Sequence, residues 1–291
     1  MTVVVIVPKV NVLRFNVSLP SANFRVAQSN NPRRTYPLPP YSTVIGFLAN
    51  IIGNQENINM MLAEPFALGI ASKYEYITRE YTWLRNLNSG MHKRRFSFKD
   101  NRMWQGVPEH PGGQSPITIE VLNEVKVVIY LHHPKQEVED ILLENYNKPE
   151  AWLSHLHMGR AEDWAIIDSV NKIELTLSSK PDAFKQSASY YQWLPSPEYA
   201  LEGLIKRNEY DELYKKIQGI AALVTSFYDL VELEGAVIRN FDHVSAHLCC
   251  SQIPFLDDFS LPSLLTDEEL HLPVFLCHLD PTVNKEGISC G

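Results

Sequence analysis

Residues 10–19 read VNVLRFNVSL, an alternation that commits them to an extended strand with one buried face. Leu13, Phe15, Val17 and Leu19 share that face, while Val12, Arg14, Asn16 and Ser18 lie on the other. SNNP and PLPP then break the chain. Val44, Ile45, Leu48, Ile51 and Ile52 follow the helical period and predict a helix over 42–52, with Gly53 as its stop.

The next segments read as a strand over 67–83, a long Gly/Pro-punctuated insertion over 86–118, a strand over 120–131 and an amphipathic helix over 135–146. A further turn near 149–156 and a strand running toward Ser178 follow. The order β-α-β-insertion-β-α-β is that of ferredoxin-like, RRM-type domains, so the expected class is α+β. Residues 1–180 are expected to form this domain, and 181–291 a C-terminal extension or small second domain. Within the latter, YYQWLPSPEYA reads as a loop and 210–226 mixes helix and strand signals. DLVELEGAVIRNFDHVSAHL reads as a hairpin turning near Glu234–Gly235.

Charge is distributed unevenly. The net charge is −8, yet the first acidic residue is Glu56, in a chain of 291 residues with 34 acids. Up to Arg102 there are 13 basic and 5 acidic residues, or +8; the remainder holds 13 and 29, or −16. A basic amino-terminal third on an acidic body points to one polyanion-binding face. The bland alternative is that helical, solvated C-terminal regions are often acidic. No apolar run is long enough for a membrane span, and MTVVVIVPKVNVLRF lacks the parts of a signal peptide. A cytoplasmic protein with reduced thiols is expected, since Cys249, Cys250, Cys277 and Cys290 cluster near the end of the chain.

Two stretches combine charge with aromatic residues. RRTYPLPPYSTVIGFLANIIG carries Arg33, Arg34, Tyr36 and Tyr41 into a helix start, where unpaired N–H groups favour phosphate. Ser42 or Thr43 would cap the helix or bind the phosphate, and Gly46 would let another backbone approach. The competing reading is structural: a proline-stiffened connector, Tyr41 in the core and Ser42 only as a cap. The second stretch, RNLNSGMHKRRFSFKDNRMW, sets Lys93, Arg94, Arg95, Lys99 and Arg102 among Phe96, Phe98 and Trp104. A hairpin there would track phosphates with one face and stack with the other, or pack its phenylalanines back on the domain. Arg14 and Arg25 complete the basic set of the acid-free region. In HMGRAEDW, Arg160 either sits beside RNA or pairs with Glu162 or Asp163 to hold a turn.

His243, His247, Cys249, Cys250, His271, Cys277 and His278 form no CxxC pair, so no metal site is expected. No cofactor motif is present, and neither are Walker, HExxH or GxSxG patterns. Metal-free RNA cleavage would need an acid and a base, and Tyr36, His92, Lys93 and His110 are the candidates.

The strand arginine, TYPLPPYSTVIGFL, the basic insertion and GRAED, in that order, resemble the "Cas five" family of CRISPR-associated RAMP-superfamily proteins, in a type I-B-like form. The resemblance covers about residues 10–180. It implies an RRM-like domain with a thumb hairpin, over about 85–116 here, at one end of a Cascade complex. It further implies binding of the crRNA 5′ handle through Arg33, Arg34, Tyr36, Tyr41 and Ser42, contacts with the large subunit and the first backbone subunit, and target DNA met only through the complex. The type I-C branch processes RNA with a tyrosine where Tyr36 falls and a Lys-His pair before the third strand. GGQSPITIE has no such pair, so a non-catalytic subunit is expected, with a metal-independent endoribonuclease as the alternative. A glycine-rich loop common near the C-terminus of RAMP proteins is not evident in this sequence.

Overall fold

The computed structural model describes residues 9–85, 103–104, 107–108, 114–178, 190–201, 207–217, 219–233, 236–250 and 263–281. In chain order the strands are β1 (Lys9–Ala22), β2 (Phe24–Arg25), β3 (Thr35–Tyr36), β4 (Phe66–Lys73), β5 (Tyr76–Arg85), β6 (Met103–Trp104), β7 (Val107–Pro108) and β8 (Gln114–His132). They continue with β9 (Ile166–Ser178), β10 (Tyr191–Pro195), β11 (Ile220–Leu233), β12 (Ala236–Cys250), β13 (Leu264–Asp267), β14 (Leu272–Pro273) and β15 (Cys277–Leu279). The helices are α1 (Tyr41–Ile52), α2 (Gln55–Met61), α3 (Gln136–Asn145) and α4 (Arg207–Lys216).

The central strands lie in the order β4–β8–β1–β9, all antiparallel. With α1 after β1 and α3 after β8, this is the ferredoxin-like order that the sequence pattern predicts. Phe15, Val17 and Leu19 of β1 meet Val44, Leu48 and Ile51 of α1 and Val138 and Leu142 of α3 in one buried cluster. Burying each such side chain contributes about 1.5–3 kcal/mol. Helix α1 ends at Gly53, whose φ of 89° suits glycine; a Cβ there would sit 1.9 Å from the Ala151 carbonyl oxygen.

The opposite face of the sheet is also covered. Val10 and Val12 of β1 and Val128 and Tyr130 of β8 pack under Leu265, Leu272, Val274 and Leu276. Every residue of β4 except Lys73 is therefore buried. The described residues after 180 do not make a sheet of their own. β10, β12 and β11 extend the sheet beyond β4, and β13 and β14 extend it beyond β9.

Three sequence expectations change. YYQWLPSPEYA is not all loop: Tyr191–Pro195 forms β10, because β4 and β12 offer ladder partners on both sides and Trp193 fills core between them. Residues 67–83 split into β4 and β5, both paired with β8, with β8 turning at Glu124 (φ 54°) between the two segments. Residues 210–226 resolve into α4 followed by β11. The hairpin expected over 229–248 forms, with Leu233 opposite Ala236; its turn lies outside the described residues. Among the described residues, no helix is long and apolar enough to cross a membrane.

Candidate nucleic-acid interface

The loop between β2 and β3 is held by its own backbone. Phe24 pairs with Tyr36 and Arg25 with Thr35, and the Val26 N–H donates to the Arg34 carbonyl at 3.0 Å. The Ser29 hydroxyl donates to the Val26 carbonyl and accepts from the Arg34 N–H. The Arg33 backbone then joins β8: its N–H donates to Thr118 at 2.7 Å, and its carbonyl accepts from Glu120 at 2.9 Å. These bonds gather Arg25, Arg33 and Arg34 in one place.

None of the three pairs with a carboxylate among the described residues. Lys9, Arg14, Arg79, Lys126, Lys135, Lys148, Arg160 and Lys172, by contrast, each sit in an ion pair. Arg25 and Arg34 are exposed, while Arg33 is half-buried and its Nε has no hydrogen-bond partner among the described residues. Burial, and then the charge of Arg25, hold the Arg33 guanidinium below its ordinary pKa. Like charges gathered without a counter-charge disfavour the charged forms, and an added anion relieves them.

The helix start does not face solvent as expected. Pro39, Pro40 and Tyr41 are buried, and Pro40 occupies the N-cap with no side-chain cap. The Ser42 hydroxyl bonds the Thr225 hydroxyl of β11 at 2.6 Å instead of capping the helix. Tyr41 is fully buried beside the Cys277 thiol, and burial pushes its phenol well above the ordinary value. It is a core residue and not a base-stacking one. Tyr36 is half-buried, with its ring edge-on to Trp193 at 5.3 Å, and Trp193 Nε1 donates to the Pro39 carbonyl. Thr43 is half-buried. Gly46 is exposed with nothing within 4 Å of a would-be Cβ, so it accommodates no close backbone. The C-terminal strands account for these differences, because β10 and β11 cover the start of α1.

Arg14 is a second correction. Its side chain is 3% exposed, and it donates to Asp267 at 2.9 Å and to Glu269 at 2.7 Å. Asp267 also accepts from the Tyr130 hydroxyl at 3.0 Å. Burial opposes the Arg14 charge, but the bonds to Asp267 and Glu269 outweigh it and raise the guanidinium pKa. The face of β1 expected to be polar is thus covered by β13, and Arg14 is a buried clamp beyond the reach of a surface ligand.

Arg160 takes the structural alternative. It forks onto Asp163 and reaches Glu80 at 2.9 Å, so the turn is tied to β5. Asp163 is fully buried and also accepts from the Asn23 and Arg160 N–H groups. Burial opposes the Arg160 charge; Asp163 and Glu80 more than compensate, leaving its pKa raised. Gly159, at φ 112°, places the turn where a Cβ would meet Asn23 and Asp163 at 2.9 Å.

One feature goes unseen in the sequence reading. Ile77, Arg79, Tyr81 and Trp83 share one face of β5 by alternation and stand exposed, Tyr81 by 66% and Trp83 by 54%. The two aromatic rings meet edge to face at 6.3 Å, and Arg79 is held by Glu120 at 3.4 Å. The odd-numbered positions of YITREYTW carry the pattern, but sequence alone does not say that this face stays uncovered. Glu80 of β5 and Arg33 both pair with Ile119 of β8, from opposite sides. The arginine loop and the aromatic strand therefore flank one strand, about 10 Å apart at two strand spacings.

Lys93, Arg94, Arg95, Lys99, Arg102, His92 and His110 lie outside the described residues. The strands flanking that insertion, β5 and β8, pair continuously from Tyr76–Asn123 to Arg85–Gln114. His247 stacks on Tyr214 at 4.1 Å, while Cys249 is buried and its thiol pushed up to about 12 by burial.

A family model described as "CRISPR-associated protein (Cas_Cas5)" matches residues 12–101. Among solved structures, a chain of a "CRISPR RNA-guided surveillance complex" is 11% identical with a TM-score of 0.44, over 83% of this chain and 91% of that one. A chain of a Type III-B Cmr-beta complex bound to cognate target RNA is 14% identical with a TM-score of 0.41, over 81% and 84%. No curated protein matches the sequence.

Proposed function

We propose that this chain, of which residues 12–101 match a family model of CRISPR-associated proteins, belongs to the Cas five family and is a non-catalytic RNA-binding subunit of a type I-B-like Cascade complex. In this reading it holds the 5′ handle of the crRNA and contacts the large subunit and the first backbone subunit. Target DNA is met only through the assembled complex. The observation that carries the RNA-binding reading is the loop of Arg25, Arg33 and Arg34, with three guanidinium groups and no carboxylate partner among the described residues. Phosphate supplies the missing charge, and bidentate Arg–phosphate pairs suit that geometry. The exposed Tyr81–Trp83 pair on the other side of β8 offers flat surfaces for unstacked bases.

Tyr36 supports the non-catalytic half of the proposal. A half-buried phenol whose pKa is raised by burial is a poor base at neutral pH, and its ring is engaged with Trp193. The test is co-expression with the neighbouring genes, purification, and sequencing of bound RNA, together with incubation of the purified chain with repeat RNA in EDTA. Uniform repeat-derived 5′ ends in the complex and intact RNA in EDTA are the expected results. A discrete cut lost on Tyr36→Phe would overturn the non-catalytic assignment.

A further inference from the structure

The hairpin of β11 and β12 is anchored near its base. Near its base, Val224, Val244 and Ala246 are buried in the main core, and Thr225 bonds Ser42 of α1. The pairing register shifts between Thr225 and Tyr228, and beyond that point residues 228–232 and 237–240 are exposed. Residues 228–232 reach about 17 Å at ordinary strand rise.

This arm exposes apolar side chains on both faces, among the charged and polar Glu232 and Arg239 on one and Asp229 and Asn240 on the other. Leu230 is 67% exposed and Val237 69%, on the face that also carries Tyr228 and Arg239. Val231 and Ile238 stand opposite each other on the other face, both exposed. An antiparallel ribbon normally keeps such residues on one covered face. With apolar side chains exposed on both faces, a flat partner would cover only those of one face. A cleft that takes the arm between two walls covers all of it.

Charge selects the occupant. From Tyr228 to Arg239 the sequence holds Asp229, Glu232 and Glu234 against Arg239 alone, a net −2. Asp229 and Glu232 are exposed, while the Arg239 guanidinium sits 4.8 Å from the Tyr228 ring centroid. Such an arm is repelled by RNA phosphate and by anionic lipid. A second copy would bring the same acids against one another.

We propose that this arm plugs into an apolar, basic-rimmed cleft on another protein subunit of the assembly, an inference that rests on the reading of the chain as a complex subunit. The arm is thus a protein-docking element, separate from the arginine loop near β8.

The test places a photo-crosslinking amino acid at Leu230 in one preparation and at Ile238 in another, each co-expressed with the proteins encoded beside the gene. Both positions, although on opposite faces, are expected to crosslink to the same protein subunit, through peptides rich in Lys or Arg. The variant Leu230→Asp with Val237→Asp is expected to weaken retention of that subunit at least about tenfold. RNA affinity and thermal midpoint of the isolated variant should stay unchanged. Crosslinks to RNA, to lipid, to a second copy or to two different subunits would overturn the proposal, as would full retention of the partner by the double variant. If the wild-type chain itself recruits neither protein nor RNA, the subunit reading falls and takes this inference with it. A defect confined to the arm variants leaves the RNA reading intact.

Discussion

Replacing Arg14 separates its two candidate roles, surface RNA contact and buried clamp. Asp267 loses the Arg14 guanidinium in Arg14→Met, but Oδ1 keeps the N–H groups of Glu269 and Leu270, and Oδ2 keeps the Tyr130 hydroxyl. Breaking a buried ion pair from one side costs about 3–5 kcal/mol, and these remaining donors bring the expected loss to about 2–3 kcal/mol. Asp267→Asn leaves Arg14 with Glu269, whose side chain is 70% exposed and so well screened; about 3 kcal/mol is expected there. The double variant should cost about 2 kcal/mol less than the sum, because no charge is then left unpaired at that pair. Urea unfolding followed by tryptophan fluorescence reads this as a midpoint lowered by about 1 M for either single variant, at a slope of about 3 kcal/mol/M. RNA affinity of the folded Arg14→Met protein should match wild type. An unchanged midpoint with weakened RNA binding would refute the clamp and restore Arg14 to the interface.

Two other predictions concern thiols and stacking. Burial raises the Cys249 thiol from 9.0 to about 12 and pushes Cys277 up as well, so the unfolded chain releases these protons first. Stability from this source is complete below about pH 9 and should fall above it by about 1.4 kcal/mol per pH unit for each thiol. Urea midpoints in reductant at pH 8 and 10 check this, and equal midpoints would contradict the burial. Tyr81→Ala and Trp83→Ala, at exposed positions, should leave the thermal midpoint within a degree or two while each weakens single-stranded RNA binding by about 1–3 kcal/mol. A titration with unchanged affinity in both variants would remove β5 from the interface.

Local features of the sequence proved legible and long-range ones did not. The apolar face of β1 is evident from four alternating residues, because a strand's period is a property of neighbouring positions. The fate of its other face is not. Arg14 meets a carboxylate 253 residues later, and Ser42 meets a hydroxyl 183 residues later, through strands that follow the central domain in the chain. The Arg160 turn was open to the structural reading because its main partner, Asp163, is three residues away. YYQWLP looked like a loop because its ladder partners, β4 and β12, are distant in the chain. The acid-free amino-terminal region directs attention to Arg25, Arg33 and Arg34, but only the structure shows that no carboxylate reaches them among the described residues, whereas Arg14 and Arg160 of the same candidate set are neutralised.

The central claim is that phosphate completes the arginine loop. Affinity of the purified chain for repeat-derived RNA, measured over a series of salt concentrations, tests it with the triple variant Arg25→Ala, Arg33→Ala, Arg34→Ala. Each phosphate contact on a single strand contributes about 0.7 to the slope of log affinity against log salt, so the triple variant should flatten that slope by about 2. A wild-type slope and affinity in the triple variant would contradict the account.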